Sequence, residues 1–407
     1  MDMRNPLKLP NLDEFYRFLT TSMGFTTNLR QISVYFNENE LFRISKEIIG
    51  HHRSIKIKPD IKRESPEKLF KLESVNINTV KFEVTITRIV SSRNHEKKNE
   101  AVSFQIASGN LKVQIQRKFS SEMEKVNKEK ASKSSDVPSD IFKDLLPYPE
   151  QGNIFIGFRT HQTTSYSVNL AARVIPTVER ESIDFAEKTL SVYNTEMLCS
   201  MGELCRVLYE YEMNQISQLY QHKSDDNQLM LEERSVRILN HFTFKQSTPD
   251  DKVGSIIEEQ FYRCCSSQLS ILSTHGVKSI NLIRLPDPEM TAFIKTTPVV
   301  PKIMMNQCES FFSRANSILK IIEQILISDI FEELKKRILD VDEMVALMKW
   351  WTTQTFSIKE HDHFMQLASA NIENKVIRLK NVRHFQNPGI ISPGLDVPSN
   401  VLPYAIS

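Results

Sequence analysis

Apolar positions first recur at helical spacing in LDEFYRFLTTSM, where Leu12, Phe15, Tyr16 and Leu19 share one face and Asn11 and Glu14 form a capping-box pair. The period then shortens to two. ISVYF (Ile32 to Phe36) and LFRI (Leu41 to Ile44) flank the polar loop Asn37 to Glu40, which predicts a hairpin. Val80, Phe82, Val84 and Ile86 alternate with Lys81, Glu83 and Thr85, giving a strand with one wet face. Val102, Phe104 and Ile106 face Leu111, Val113 and Ile115 across Ser108-Gly109-Asn110, a second hairpin. Further strands are expected at Ile154–Phe158 and Val168–Ile175, around a hydroxyl-rich turn from His161 to Ser165.

Beyond residue 185 the helical period returns. Met197, Met201, Leu204, Leu208 and Tyr211 mark a long helix running to about Gln221, whose stripe reads as core. A small α/β unit follows: a strand at HFTF (His241 to Phe244), a helix over Val253–Arg263, and ILSTHGVKSINLIRLP with a turn at His275-Gly276. Phe311, Ala315, Ile318, Ile322 and Ile325 mark another helix. Ser328 or Asp329 is placed to cap the next one, and Asp340 with Glu343 to cap VDEMVALMKWW. The tail from Asn387, with Pro388, Pro393, Pro398 and Pro403, reads as extended. The fold class expected is α+β: an antiparallel β region over residues 1–185, then a mostly helical domain with a small sheet over 186–407.

Between the two periods, residues 119–140 hold six Ser and four Lys without a large apolar cluster, the composition of a flexible linker. Five acidic residues in the same stretch oppose a basic nucleic-acid arm. Charge over the whole chain agrees: 52 Lys and Arg against 50 Asp and Glu leave a net charge of +2, so no general field draws in nucleic acid or an anionic membrane. The weaker nucleic-acid reading would rest on Lys125–Lys133 and Lys56–Lys62.

Glycine spacing excludes more. The ten glycines lie no closer than five positions apart, and neither five-apart pair (Gly152 and Gly157, Gly389 and Gly394) continues into Lys-Ser/Thr, so GxGxxG and P-loop phosphate cradles are absent. The five cysteines (Cys199, Cys205, Cys264, Cys265, Cys308) show no CxxC, which favours reduced thiols in a cytoplasmic or nuclear protein. The apolar run from Ile318 to Ile330 is interrupted by Lys320, Glu323, Gln324 and Asp329, too often for a membrane span.

Three clusters remain as candidate chemistry. His361-Asp362-His363 is the densest His/Asp group, but on a helix its histidines point apart and read as a solvated face rather than a metal site. Cys264-Cys265 beside Arg263 has no histidine at motif spacing, which disfavours a nucleophile. Trp350-Trp351 reads as a core plug. Arg180, in the run Thr-Val-Glu-Arg-Glu-Ser, follows β-like residues and precedes a helix, a corner where a guanidinium could meet a phosphate. The alternative is a surface ion pair with a neighbouring Glu or Asp184.

The stretch YPEQGNIFIGFRTHQTTSYSVNLAARVIPTVERESIDF resembles a family of very large fungal proteins. These are similar to sacsin in carrying a chaperone/histidine-kinase-type (GHKL) ATPase domain followed by a domain of unknown function. The resemblance continues through HFTFKQSTPDDKVGSIIEEQFY and RHFQNPGIISPGLDVPSNVLPYAIS, so it spans nearly the whole chain. It implies that the β region derives from a GHKL-type ATPase and that the chain is an internal slice. The family's Asp-x-Gly-x-Gly turn has no counterpart here, so no catalysis and no cofactor are expected of this chain itself. ATP and Mg would enter only with a completing half. By the same resemblance IPTVERESID matches the segment in which a second-domain arginine reaches the γ-phosphate, and the residue in that place is Arg180. Protein partners and a cytoplasmic location, with the nucleus as alternative, complete the expectation.

Overall fold

The structure, a computed structural model, describes residues 12–26, 28–36, 38–89, 97–106, 116–119, 149–222, 228–372 and 375–378. The fold is mixed α+β, as expected, and divides into two compact units. The first comprises residues 1–219 with 234–269, the second 220–233 with 270–407. Phe185, placed at a boundary by the change of period, lies inside the first unit.

The first unit begins with helix α1 (Leu12–Phe25) and a five-stranded antiparallel sheet in sequential order: β1 (Gln31–Phe36), β2 (Asn39–Ile55), β3 (Val75–Ile89), β4 (Lys97–Ile106) and β5 (Gln116–Phe119). The period-two segments at Ile32–Phe36, Leu41–Ile44, Val80–Ile86 and Val102–Ile106 become part of β1 to β4, while Leu111–Ile115 lies outside the described residues. Val34 pairs with Phe42 across the first hairpin, and Val84 pairs with both Ile44 and Val102. Phe42 and Ile44 are fully buried, and Tyr16 of α1 stacks on Phe42 at 4.3 Å. Lys46 projects to the end of α1 and donates to the carbonyls of Met23 at 3.2 Å and Thr26 at 2.5 Å, filling acceptors that the helix leaves open. β4 pairs with β5 in register Val102 to Arg117. The turn expected at Ser108–Asn110, the linker at 119–140 apart from Phe119, and the proline tail lie outside the described residues.

A second, three-stranded sheet follows, with β6 (Asn153–Phe155) between β7 (Arg159–Thr163) and β8 (Leu170–Ala171). The strand expected over Ile154–Phe158 ends at Phe155. The chain reverses at Gly157, which takes the positive φ of +74° that suits glycine, and the hydroxyl-rich segment begins as strand β7. Its hydroxyls serve the backbone: Thr160 donates to Ile154 O at 2.7 Å and Thr164 to Tyr166 O at 2.7 Å. Helices α2 (Lys188–Gln221), α3 (Gln228–His241) and α4 (Asp251–Arg263) come next. His241 closes α3, and Phe242 continues the turn through its N–H to Ile238 O, so no strand forms at HFTF. Phe242, Tyr166, Tyr209 and Phe261 form an aromatic core with centroids 5.3 to 5.7 Å apart.

The second unit contains the hairpin β9 (Ser270–Ser273) and β10 (Gly276–Ser279), then β11 (Arg284–Leu285), α5 (Lys302–Gln307), α6 (Glu309–Leu319), β12 (Glu323–Gln324), α7 (Ile327–Lys336), α8 (Val341–Thr353), α9 (Ile358–Leu367) and the hairpin β13 (Ser369–Ile372) and β14 (Lys375–Arg378). Helix α6 stops at Leu319 because Lys320 turns left-handed, with φ of +53°. Ile322 and Ile325 therefore reach the core from extended chain, not from a helix. Asp329 stands three residues inside α7 and accepts from Leu326 N at 2.8 Å, rather than serving as the cap. The Asp340–Glu343 capping box forms as expected. Trp350 and Trp351 are core residues, and Trp351 is stacked between Phe356 at 3.8 Å and Phe364 at 4.0 Å.

Candidate functional site

Arg180 occupies the tip of a hairpin-like loop. Pro176 bridges to Ile183, Thr177 N donates to Ser182 O at 3.0 Å, and Asp184 N donates to Ile175 O at 3.0 Å. Between these rungs the chain turns with Arg180 at φ of +60°. An L-residue with a Cβ is disfavoured there by about 1 kcal/mol. Val178 at the tip is 94% exposed, and Glu179, Arg180 and Glu181 are exposed with it. The guanidinium lies 5.2 Å from the centroid of the Phe158 ring, while Asp184 accepts from Ala186 N at 2.8 Å.

What holds this tip is a residue the sequence reading missed. Asn194, fully buried on α2, accepts from Ile175 N at 2.8 Å and donates to Ile175 O at 2.9 Å and Asp184 O at 2.7 Å. One amide thereby clamps both legs of the loop. Nothing in the local sequence distinguishes Asn194 from an exposed helical asparagine, because its partners are ten and 19 residues away.

The same helix carries a second polar feature that was visible in the sequence. Glu196, Glu203 and Glu210 recur every seven residues, so they lie along one face of α2, and all three are buried. Glu196 receives the Ser65 hydroxyl and the N–H of Glu67 at 3.0 Å. Glu210 receives Lys58 at 2.5 Å and Arg206 at 3.1 Å, and Arg206 also donates to Phe261 O and Ser267 O. The segment after β2 is thus tied to α2 at Ser65, Glu67 and Lys58. Beside it, Lys62 N donates to Cys264 O at 2.7 Å, and Cys265 Sγ lies 3.0 Å from Asp60 Oδ2. Partial desolvation works against the Asp60 carboxylate, yet the donors Cys265 and Ser267 hold it down at about 2. The carboxylates of Glu196 and Glu210 are occupied by the chain's own donors, so this part of the face works as an internal fastening.

Burial pushes the thiols of Cys199, Cys205, Cys264 and Cys308 up to about 12, which keeps them protonated. His361, Asp362 and His363 are exposed on α9, where His361 Nδ1 accepts from Trp351 Nε1 at 3.3 Å and His363 lies edge-on to Phe331. Among the described residues no group of three or more His, Cys, Asp or Glu is arranged to hold a metal ion. No helix of the described residues is long and apolar enough to cross a membrane. Of the lysines in the Lys56–Lys62 run, Lys58 is committed to Glu210. Lys125–Lys133 lie outside the described residues.

Neither a curated protein nor a solved structure matches this sequence. The model of the family described as protein of unknown function DUF3684 matches residues 23–123 and 94–407, nearly the whole length. By that match over nearly its whole length, the chain belongs to the DUF3684 family.

Proposed function

We propose that this chain works by contact rather than by turnover, presenting the Ile175–Asp184 loop so that Arg180 meets an anionic group on another protein chain. The observation that carries the reading is the combination at one residue: a non-glycine side chain in left-handed backbone, fully outside the core, on a stem pinned by buried Asn194. Strained backbone of this kind persists where its surroundings over-determine it, and such positions concentrate at working sites. A guanidinium offers a fork of donors suited to carboxylate or phosphate.

The resemblance of IPTVERESID to the arginine segment of GHKL-type chaperone ATPases supports a nucleotide phosphate, held by a separate sacsin-like half, as that group. On this reading the chain is non-catalytic alone, and ATP and Mg belong to the completing half. The cysteine usage fits a reducing compartment, the cytoplasm first and the nucleus as alternative.

The test is reconstitution. Calorimetric titration of the isolated chain with Mg-ATP is expected to show no binding. With the family's nucleotide-binding half added, Arg180→Ala is expected to slow ATP turnover by roughly 10²–10³-fold, the effect of removing a positioned charge donor. Arg180→Gly keeps the left-handed backbone while deleting the guanidinium, so it separates charge from loop shape. A turnover rate unchanged in both variants removes the phosphate role.

A further inference from the structure

The second unit contains a cleft of about 180 Å³ whose walls are Ile294, Val299, Val300 and Ile325, with Pro286 and Pro301. Close-packed interiors leave few voids larger than a water molecule, and a cavity of roughly 150 Å³ holds one benzene ring. The cleft is therefore large enough for one aromatic or branched aliphatic group.

Its frame is fixed by backbone bonds. Thr274 N donates to Val299 O at 2.9 Å, Val300 N donates to Arg284 O at 3.0 Å, and Lys295 N donates at 2.9 Å to the buried carboxylate of Glu333. The two hydroxyls at the cleft are already committed: Thr291 donates to Asp287 O at 2.7 Å, and Thr274 Oγ1 accepts from Val299 N at 3.2 Å. Two charged side chains complete the lining, Lys295 and Lys302, both exposed. Neither ammonium group has an ion pair among the described residues; Glu333, which accepts from the Lys295 backbone N–H, is taken by Arg337 and Thr296.

An apolar slot of ring size, rimmed by two uncommitted cations and closed to further hydroxyl bonding, selects a ligand with an apolar body and one anionic head. We propose that this cleft binds a small monocarboxylate whose body is a phenyl ring or a branched alkyl group. The body fills the space between Ile294, Val300 and Ile325, and the carboxylate sits between Lys295 and Lys302.

Benzoate is the probe, with benzyl alcohol as a neutral comparator carrying the same ring, titrated against the full chain carrying labelled isoleucine and valine methyl groups. Saturable shifts are expected at the methyls of Ile294, Val299, Val300 and Ile325, with benzyl alcohol binding about tenfold more weakly for want of a charge-assisted hydrogen bond. In the double variant Lys295→Gln, Lys302→Gln, benzoate is expected to fall to the affinity of the alcohol. Both lysines are exposed, so the variant's melting temperature should match the parent's and report an intact fold. Benzoate that never saturates these methyls, binds no better than benzyl alcohol, or binds the double variant undiminished overturns the proposal.

Discussion

Gln260 of α4 donates to Glu203 of α2 at 2.8 Å, and the other carboxylate oxygen of Glu203, fully buried, accepts no hydrogen bond among the described residues. Burial raises the Glu203 pKa, and Glu196 seven residues away adds to the effect. The central helix of the first unit therefore carries a carboxyl group that holds its proton more tightly than an exposed glutamate does.

This preference makes stability depend on pH in a direction opposite to that of a salt-bridged acid. With the folded pKa above the ordinary value of 4.5, the contribution is fully present below the unfolded pKa and is lost as pH rises through the folded one. Glu203→Gln keeps the acceptor for Gln260 and removes the ionisation. The variant should melt above the parent in mildly alkaline buffer, with the difference closing in acetate buffer. Parallel melting curves across that range would show that Glu203 does not titrate within the fold.

Helices α2 and α4 meet where Gly202 leaves no room for a side chain. A Cβ at this position would stand 2.6 Å from Ile257 O and 2.8 Å from the Gln260 side chain. Gly202→Ala should cost about 1–3 kcal/mol as the helices part, read as a lower urea midpoint at unchanged slope. An unchanged midpoint would mean that the two helices are not in this contact.

Asn194→Ala removes three hydrogen bonds to the 175–184 loop, leaving Ile175 N and Asp184 O without that partner while Ile175 O keeps the N–H of Asp184. The expected loss is about 2–4 kcal/mol of stability, and trypsin should cleave after Arg180 faster than in the parent. Arg180→Ala, by contrast, removes an exposed side chain resting on Phe158 and should change stability by no more than about 1 kcal/mol. If cleavage after Arg180 is equally slow in Asn194→Ala, the clamp does not govern the loop.

Thiol chemistry offers a third check on packing. Cys199, Cys205, Cys264 and Cys308 are buried and their pKa values sit near 12, while Cys265 is partly covered and also raised. A thiol reagent in neutral buffer should label the native chain slowly and all five cysteines promptly in urea. Rapid stoichiometric labelling of Cys264 in the native chain would contradict its burial.

The elements that could be read from the sequence are those whose signal is local. The alternation of Val80 to Ile86 became the middle of β3, and the Asp340–Glu343 pair capped α8, because both depend on neighbours two or three residues away. Local signals erred where a competing local conformation won. Lys320 turned left-handed and ended α6 before Ile322, and Gly157 reversed the chain before the hydroxyl-rich segment. The seven-residue spacing of Glu196, Glu203 and Glu210 was in the sequence too, but read alone it describes a solvated acidic stripe.

Tertiary structure decided what that stripe does. Apart from Arg206 on α2 itself, its side-chain partners are Ser65, Lys58 and Gln260, 131, 152 and 57 residues away, and no periodicity within α2 encodes these. Arg180 could be singled out by its neighbours. Its presentation could not, since the amide that fixes the loop is buried on another element. The sequence determined the helices and strands whose signal is local, and the absence of a glycine phosphate cradle. Burial determined which charges became fastenings, because a charged group leaves water only where distant parts of the chain supply its hydrogen bonds.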